Sequence, residues 1–256
     1  MEADTPILVA KHLYKSFPLT RKQKEQRGVN TDRLVAVNDL TLSLKEGSIY
    51  GLLGPNGAGK TTTLSMIATL LSPEKGEILY KGEHLKEDAY RRKIGFLTSE
   101  LKLDDFFTPS YTFDYFSALY GVDQEEAKQR KQHIFARFGV DRFADVQIKN
   151  LSTGMKQKVS LAISIAHSPE IIVYDEPTNG LDIMASRDVE NFLRDLKKEG
   201  KAIVLSTHIF SLVEKLCDEV GIILEGSMRL EGKMSEICAE KSLEQVFFDL
   251  VEGETL

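Results

Sequence analysis

The sequence predicts an α/β fold with a parallel, partly mixed sheet at its core, and three observations lead there. The apolar run 49–53 enters the glycine-rich stretch Gly54-Pro55-Asn56-Gly57-Ala58-Gly59-Lys60-Thr61, after which Leu64, Ile67 and Ala68 recur at helical spacing. Residues 171–174 and 202–206 are β-rich apolar runs of the kind buried on both faces of a parallel sheet. Between them, a helical pattern from Ile183 to Lys198 closes at Gly200 and completes a strand–helix–strand unit.

Taken in order, residues 7–10 form a short strand, and 18–33 turn polar and mostly basic (Arg21, Lys22, Lys24, Arg27, Arg33). That segment reads as a long surface loop, either a solvated hairpin extension or a contact with anionic lipid headgroups or a partner. Residues 34–37 and 40–44 are strand-like, the second with clean alternation, and Glu46-Gly47 turns the chain into the strand before the glycine loop. Pro73-Glu74-Lys75-Gly76 is a turn before a strand at 77–80. From Glu87 to about Asn150 the pattern becomes helical, and Phe106, Phe107, Tyr111, Phe113, Tyr115, Phe116 and Tyr120 crowd one short stretch. Phe113, Phe116 and Tyr120 share a helix face and suit a core; the rest exceed what one face can bury, which predicts an exposed aromatic groove. A further strand at 220–224 and an amphipathic helix at 243–251 follow.

With 256 residues the chain can bury a full core as one large domain, or as one domain with a subdomain. Its 28% charged and 42% hydrophobic residues suit a water-soluble globular protein. A net charge of −6 argues against a nucleic-acid partner, which would call for a basic stripe. Cys217 and Cys238 are too few for a disulfide framework or metal cluster and fit a reducing compartment. The acidic start Met1-Glu2-Ala3-Asp4 lacks the apolar core of a signal peptide, and no run of 18 apolar residues occurs. Any membrane role therefore has to come through a partner.

The stretch 54–61 fits G-x-x-x-x-G-K-[ST], the loop that wraps nucleotide phosphates. Strand, glycine loop and helix start make an anion cradle in which backbone N–H groups of Asn56 to Thr62 and the positive helix end face the phosphates. Lys60 would neutralise the β- and γ-phosphates and the Thr61 hydroxyl would hold Mg²⁺. Asp175 ends an apolar strand, where a carboxylate can hold Mg²⁺ through water, and Glu176 follows it, placed to polarise an attacking water. The guanine-reading sequence Asn-Lys-x-Asp is absent, which disfavours a GTPase.

Leu151-Ser152-Thr153-Gly154-Met155-Lys156-Gln157 precedes an apolar helical run and lies a short way before Asp175. It resembles the signature loop of ATP-binding cassette (ABC) ATPases. Ser152 as a helix N-cap and the backbone at Gly154 could offer donors to a phosphate, and in that family the phosphate belongs to ATP on the partner subunit. By the same resemblance, Asn179-Gly180-Leu181-Asp182 is similar to the loop through which subunits communicate, and His208 to the switch histidine that contacts the γ-phosphate. Phe17 matches the aromatic that stacks on adenine, with Tyr14 as its competitor. The family's usual Gln after strand 94–97 is missing; Ser99 aligns with it best and Glu100 next, which leaves Mg²⁺ ligation from that loop open. Thr153, Met155 and Ile183 also depart from the commoner residues. The resemblance spans residues 7–235 and points to the exporter branch that includes sodium-, drug- and polysaccharide-efflux ATPases.

The resemblance implies a single ABC ATPase domain over 1–256: a nucleotide-binding core with an antiparallel β edge (1–85 and 151–235), a helical subdomain (86–150) and a helical tail (236–256). It implies ATP and Mg²⁺ as ligands and ATP hydrolysis as the activity. Two copies would sandwich two ATP molecules at the cytoplasmic face of the plasma membrane and drive a separate multi-span permease. A soluble ABC ATPase outside transport, and an ATP-binding subunit with weak hydrolysis, are the other readings.

Overall fold

Apolar–polar alternation gives the chain its first paired strands in the computed structural model, which describes residues 5–28, 30–84, 86–98 and 103–253. In chain order the elements begin with β1 (Leu8–Pro18), α1 (Arg21–Arg27), β2 (Arg33–Leu44), β3 (Ile49–Leu53), α2 (Lys60–Ile67) and β4 (Lys75–Tyr80). Next come α3 (Glu87–Arg91), β5 (Ile94–Leu97), α4 (Pro109–Leu119), α5 (Gln124–Phe138), α6 (Thr153–Ser164), β6 (Ile171–Asp175), α7 (Ile183–Lys198) and β7 (Ala202–Thr207). After these stand α8 (Phe210–Leu216), β8 (Glu219–Leu224), β9 (Ser227–Lys233), α9 (Met234–Ile237) and α10 (Leu243–Glu252). Two units divide them: Met1–Lys45, Tyr50–Leu85 and Ser206–Leu256 form one, Glu46–Ile49 and Lys86–Leu205 the other.

In the first unit β1 pairs antiparallel with β2, from Leu8 opposite Leu44 to Pro18 opposite Arg33, and on its other edge with β4. Leu40, Leu42 and Leu44 of β2 are buried while Asp39 and Thr41 face solvent, so the period-two pattern sets which face packs. Every residue of β3 is buried, as a strand flanked on both faces requires; it runs parallel to β8, which pairs antiparallel with β9. The tail helix α10 buries Leu243 and Val246, sets Phe247 edge-on to Phe210 at 5.2 Å, and donates from the Leu243 N–H to the Glu214 carboxylate at 2.9 Å.

Residues 18–33 are not the open loop that their charge suggests. β1 runs on to Pro18, and α1 is capped at both ends: Thr20 and Gln23 form a reciprocal capping box, and Gly28 closes the helix with φ 64°. Lys24 is ion-paired with Asp32, and Arg33 reaches Glu74 at 2.7 Å. Local capping, which a count of charges does not register, decides this segment. Likewise the two strand-like runs at 34–37 and 40–44 are one strand, β2.

In the second unit β5 lies parallel to β6, with Ile94 opposite Ile171, and β7 follows on the other side of β6. Thr108 caps α4, which continues after Pro109 at its first turn, and Asp123 caps α5, whose end is fixed by Gly139 at φ 66°. Phe113, fully buried, packs edge-on against Phe135 at 5.4 Å. Phe116 and Tyr120 are half-buried, while Phe106, Phe107, Tyr111, Tyr115 and Leu119 are exposed. The stripe assigned to the core therefore grades from buried to half-buried along α4.

Candidate functional site

The first unit carries the glycine loop. β3 delivers a buried Gly54 whose missing side chain matters: a methyl there would run into the carbonyl oxygen of Ile223 on β8. Gly59, at φ 105°, could not carry one either, because the Ala36 carbonyl of β2 stands against it. The loop is tied from the side as well. The Gly226 N–H donates to the Ala58 carbonyl at 2.9 Å, and the Asn38 N–H donates to the Gly226 carbonyl at 2.8 Å. The cradle is thus wedged between β2 and the β8–β9 turn.

Its outer side is open. Asn56, Gly57 and Thr61 are exposed, Thr62 is half-buried, and nothing lies within 4 Å of where a Gly57 side chain would point. Gly59 opens α2 without a side-chain cap hydrogen bond, and a helix start of this kind favours an anion. Lys60 is only 6% exposed and donates to the carbonyls of Gly54 at 2.7 Å and Pro55 at 3.1 Å. The ammonium is held at the loop by these two carbonyls.

Two further predicted residues lie in this unit. Phe17, opposite Leu34 in the β1–β2 pair, is 36% exposed, whereas Tyr14 is half-buried with the Lys75 ammonium 5.2 Å above its ring. His208 is exposed directly after β7, where the Thr207 hydroxyl accepts from the Ile209 N–H at 3.1 Å and turns the chain.

The second unit carries the acids and the Leu-Ser-Thr-Gly loop. Asp175 ends β6 and is 4% exposed. Glu176 takes φ 53°, a left-handed conformation that costs a non-glycine residue energy and is concentrated at functional turns. Ser152 is exposed and caps α6 by accepting from the Met155 N–H at 3.3 Å. Asp182 caps α7 by accepting from the Ala185 N–H at 2.9 Å, and Ala185 is what a methyl at Gly154 would meet, at an ordinary 3.4 Å.

Sequence reasoning missed the residue that links these pieces. The Gln157 side-chain amide donates to the Pro177 carbonyl at 2.8 Å, joining α6 to the turn right after Glu176. Beneath, the Ser164 and Tyr174 hydroxyls bond at 2.8 Å, and burial pushes the Tyr174 phenol well above its usual range. No spacing rule signals such ties. Ser99 and Glu100 lie outside the described residues. Among the described residues no helix is long and apolar enough to cross a membrane.

A phosphate cradle after a buried strand, an acid pair after a second one and an outward-facing Ser-Thr-Gly helix start define a nucleotide-hydrolysing cassette. Residues 37–179 match the ABC transporter family, and the chain belongs to it. It is an ATP-binding ABC ATPase. Among its relatives are the ABC transporter ATP-binding protein NatA and the linearmycin resistance ATP-binding protein LnrL, both of Bacillus subtilis. NatA is 40% identical over 79% of this chain and 83% of NatA; LnrL is 34% identical over 79% of this chain. The Nod factor export ATP-binding protein I of Burkholderia orbicola is 38% identical over 78% of this chain. The chain spans 66% of the length of each of the last two. A solved ATP-binding subunit of an ABC transporter superposes with a TM-score of 0.82 at 26% identity, covering 96% of this chain and 99% of the other. A dimeric ATP-binding cassette in a post-hydrolysis state with ADP and Pi gives a TM-score of 0.75 at 25% identity, covering 89% of this chain and 98% of that one.

Proposed function

We propose that this ATPase powers export through a separate membrane subunit, acting as a pair of copies that close over two ATP molecules at the cytoplasmic face of the plasma membrane. In this reading each ATP is held by Asn56 to Thr62 of one copy, with Phe17 stacked on adenine. Lys60 neutralises phosphate charge and Asp182 serves the contact between copies. Ser152 and Gly154 of the other copy complete the site from across the dimer. Glu176 orients or deprotonates the attacking water, and His208 contacts the γ-phosphate.

Mg²⁺ fits the donors at hand. The Thr61 hydroxyl and the Asp175 carboxylate are hard oxygen ligands, and Mg²⁺ takes only one or two protein ligands when substrate phosphates and water supply the rest. When bound, the ion supplies neutralisation of the β- and γ-phosphate charge. Ser99 remains the proposed third ligand by alignment alone.

One observation carries the membrane partner: Phe107 in the turn before α4 and Tyr111, Tyr115 and Leu119 on it recur every four residues and are 42%, 52%, 55% and 64% exposed. The Phe107 and Tyr111 rings stand 4.7 Å apart and Tyr111 stacks on Tyr115 at 6.5 Å, so the row is a continuous apolar face. Such faces mark protein interfaces, and a helix of a membrane subunit would fill it. Motif likeness to efflux ATPases suggests Na⁺ or drugs as cargo. Purifying tagged protein from gently solubilised membranes tests the reading: a multi-span protein should accompany the unaltered chain and be lost with Phe107→Ala plus Tyr111→Ala. Equal recovery with both would refute it.

A further inference from the structure

The turn before α4 and the segment before α6 are far apart in sequence and zipped together in space. Phe107 accepts at its carbonyl from the Ile148 N–H at 2.9 Å, and Asp105 accepts at its carbonyl from the Lys149 N–H at 3.1 Å. The Gln147 amide reaches the Phe106 carbonyl at 3.3 Å, and the Lys149 ammonium lies 5.5 Å from the centre of the Phe106 ring. The turn itself is stiffened where the Asp104 carboxylate accepts from the Phe106 N–H at 2.9 Å. Beyond this zipper the chain makes one 3-10 turn (Ile148–Asn150), buries Leu151 and reaches Ser152.

Asp105 grips both sides of Ser152. Its carbonyl holds Lys149 before the loop, and its carboxylate pairs with Lys156 at 3.1 Å after it, on the first turns of α6. The loop 151–155 is thus bracketed by contacts to one residue, and the Gln157 tie to Pro177 anchors the same helix one residue on. A helix start with its own cap can still swing as a body; contacts on both sides of the loop bias the direction it takes.

We propose that Asp105 is a positioning residue that sets the direction in which Ser152 and Gly154 are presented to the second copy. The inference rests on the reading that these residues act across an ATP-bound dimer. The contacts that Asp105 makes run to Lys149 and Lys156, on either side of the loop, and these are the route by which its loss would act. The ion pair is partly exposed (side chains 60% and 39%), which makes it worth little to folding while still biasing an orientation.

The test uses full-length protein carrying Glu176→Gln, with ATP and Mg²⁺, and reads dimer formation by sedimentation. Asp105→Lys and Lys156→Asp should each weaken ATP-dependent dimerisation about three- to tenfold, the range of a repelled close charge pair. Melting temperature and binding of a fluorescent ATP analogue by the monomer should not change. Asp105→Glu should stay close to the parent, and the double exchange Asp105→Lys with Lys156→Asp should restore dimerisation to within about twofold. Unaltered dimerisation in both single variants, or a double exchange no better than either, overturns the proposal. A fall in melting temperature that tracks the dimer defect overturns it too, since the role is then structural. If the Glu176→Gln parent itself stays monomeric with ATP, the dimer reading has failed and the inference falls with it.

Discussion

The two glycine loops are built to opposite specifications. Loop 54–59 is crowded from behind: the Ile223 and Ala36 carbonyls occupy the space that side chains at Gly54 and Gly59 would need. Loop 152–154 is crowded by almost nothing, with Ser152 exposed and only the Ala185 methyl near Gly154, at ordinary contact distance. One is a finished cradle. The other leaves its helix start open to the surface. Glycine serves the first loop by letting the backbone pass and serves the second by leaving its surface bare. The proposed site shared by two copies would account for this contrast.

The largest expected effect tests what the outward loop faces. Glu176→Gln should keep ATP binding, lower turnover by about 10²–10⁴ and trap an ATP-bound dimer, because closure survives while the water is no longer activated. Near-normal phosphate release by this variant would remove Glu176 from the chemistry.

Next comes the contrast itself. Gly59→Ala forces a methyl against the Ala36 carbonyl at a φ that favours glycine, a strain of about 2–3 kcal/mol, so melting temperature should fall and ATP binding weaken as the loop distorts. Gly154→Ala should leave both melting temperature and monomer ATP binding unchanged. Similar losses in the two variants, by calorimetry and nucleotide titration, would erase the distinction.

Acid should weaken the second unit through His167. Its ring stacks on Tyr120 at 3.8 Å, its Nε2 bonds to the Ile94 carbonyl at 3.0 Å, and Nδ1 is buried without a hydrogen-bond partner. Burial, aided by the charges of Arg130 and Lys201, holds the imidazole down at about 4 against the Ile94 bond. A depressed folded-state pKa means the unfolded chain takes the proton first, so stability present above about pH 6.5 is lost as pH falls toward 4. Allowing for partial solvent access, the loss is on the order of 2 kcal/mol. Urea unfolding from pH 7.5 to 4 should show a shallower acid decline in His167→Gln, and identical declines would exclude the residue as its source.

The smallest effect on folding belongs to the aromatic row. Phe107→Ala with Tyr111→Ala should shift the melting temperature by no more than a few degrees, since both rings are about half exposed, while docking of a membrane subunit is lost. A large drop in melting temperature would make them core residues.

Much of the first loop was legible in sequence because its spacing is its mechanism: glycines where the backbone must pass, a lysine at the helix start, an apolar strand before it. What presses on the loop was not legible. Ala36 and Gly226 act through backbone atoms, which any residue possesses, and Gln157 acts through one amide on a helix with no motif of its own. The surplus of rings at 106–120 could be counted, yet which rings face water depends on where α5 lies, and only Phe113 meets Phe135 squarely. At residues 18–33 the charges drew attention away from Thr20, Gln23 and Gly28, the residues that write a short helix.

The central claim is that Ser152 and Gly154 serve the ATP held by the other copy, and mixing two inactive variants tests it most directly. Lys60→Ala lacks a working cradle and Ser152→Arg lacks a working outward loop, so neither should hydrolyse ATP as a homodimer. In a mixed dimer the intact cradle of one meets the intact loop of the other, giving a single complete site. Combining them in equal amounts should therefore restore phosphate release to roughly a quarter of the unaltered protein's rate, given random pairing and independent sites. If sedimentation shows mixed dimers and hydrolysis stays at the level of the separate variants, the loop acts within its own chain and the shared site is wrong.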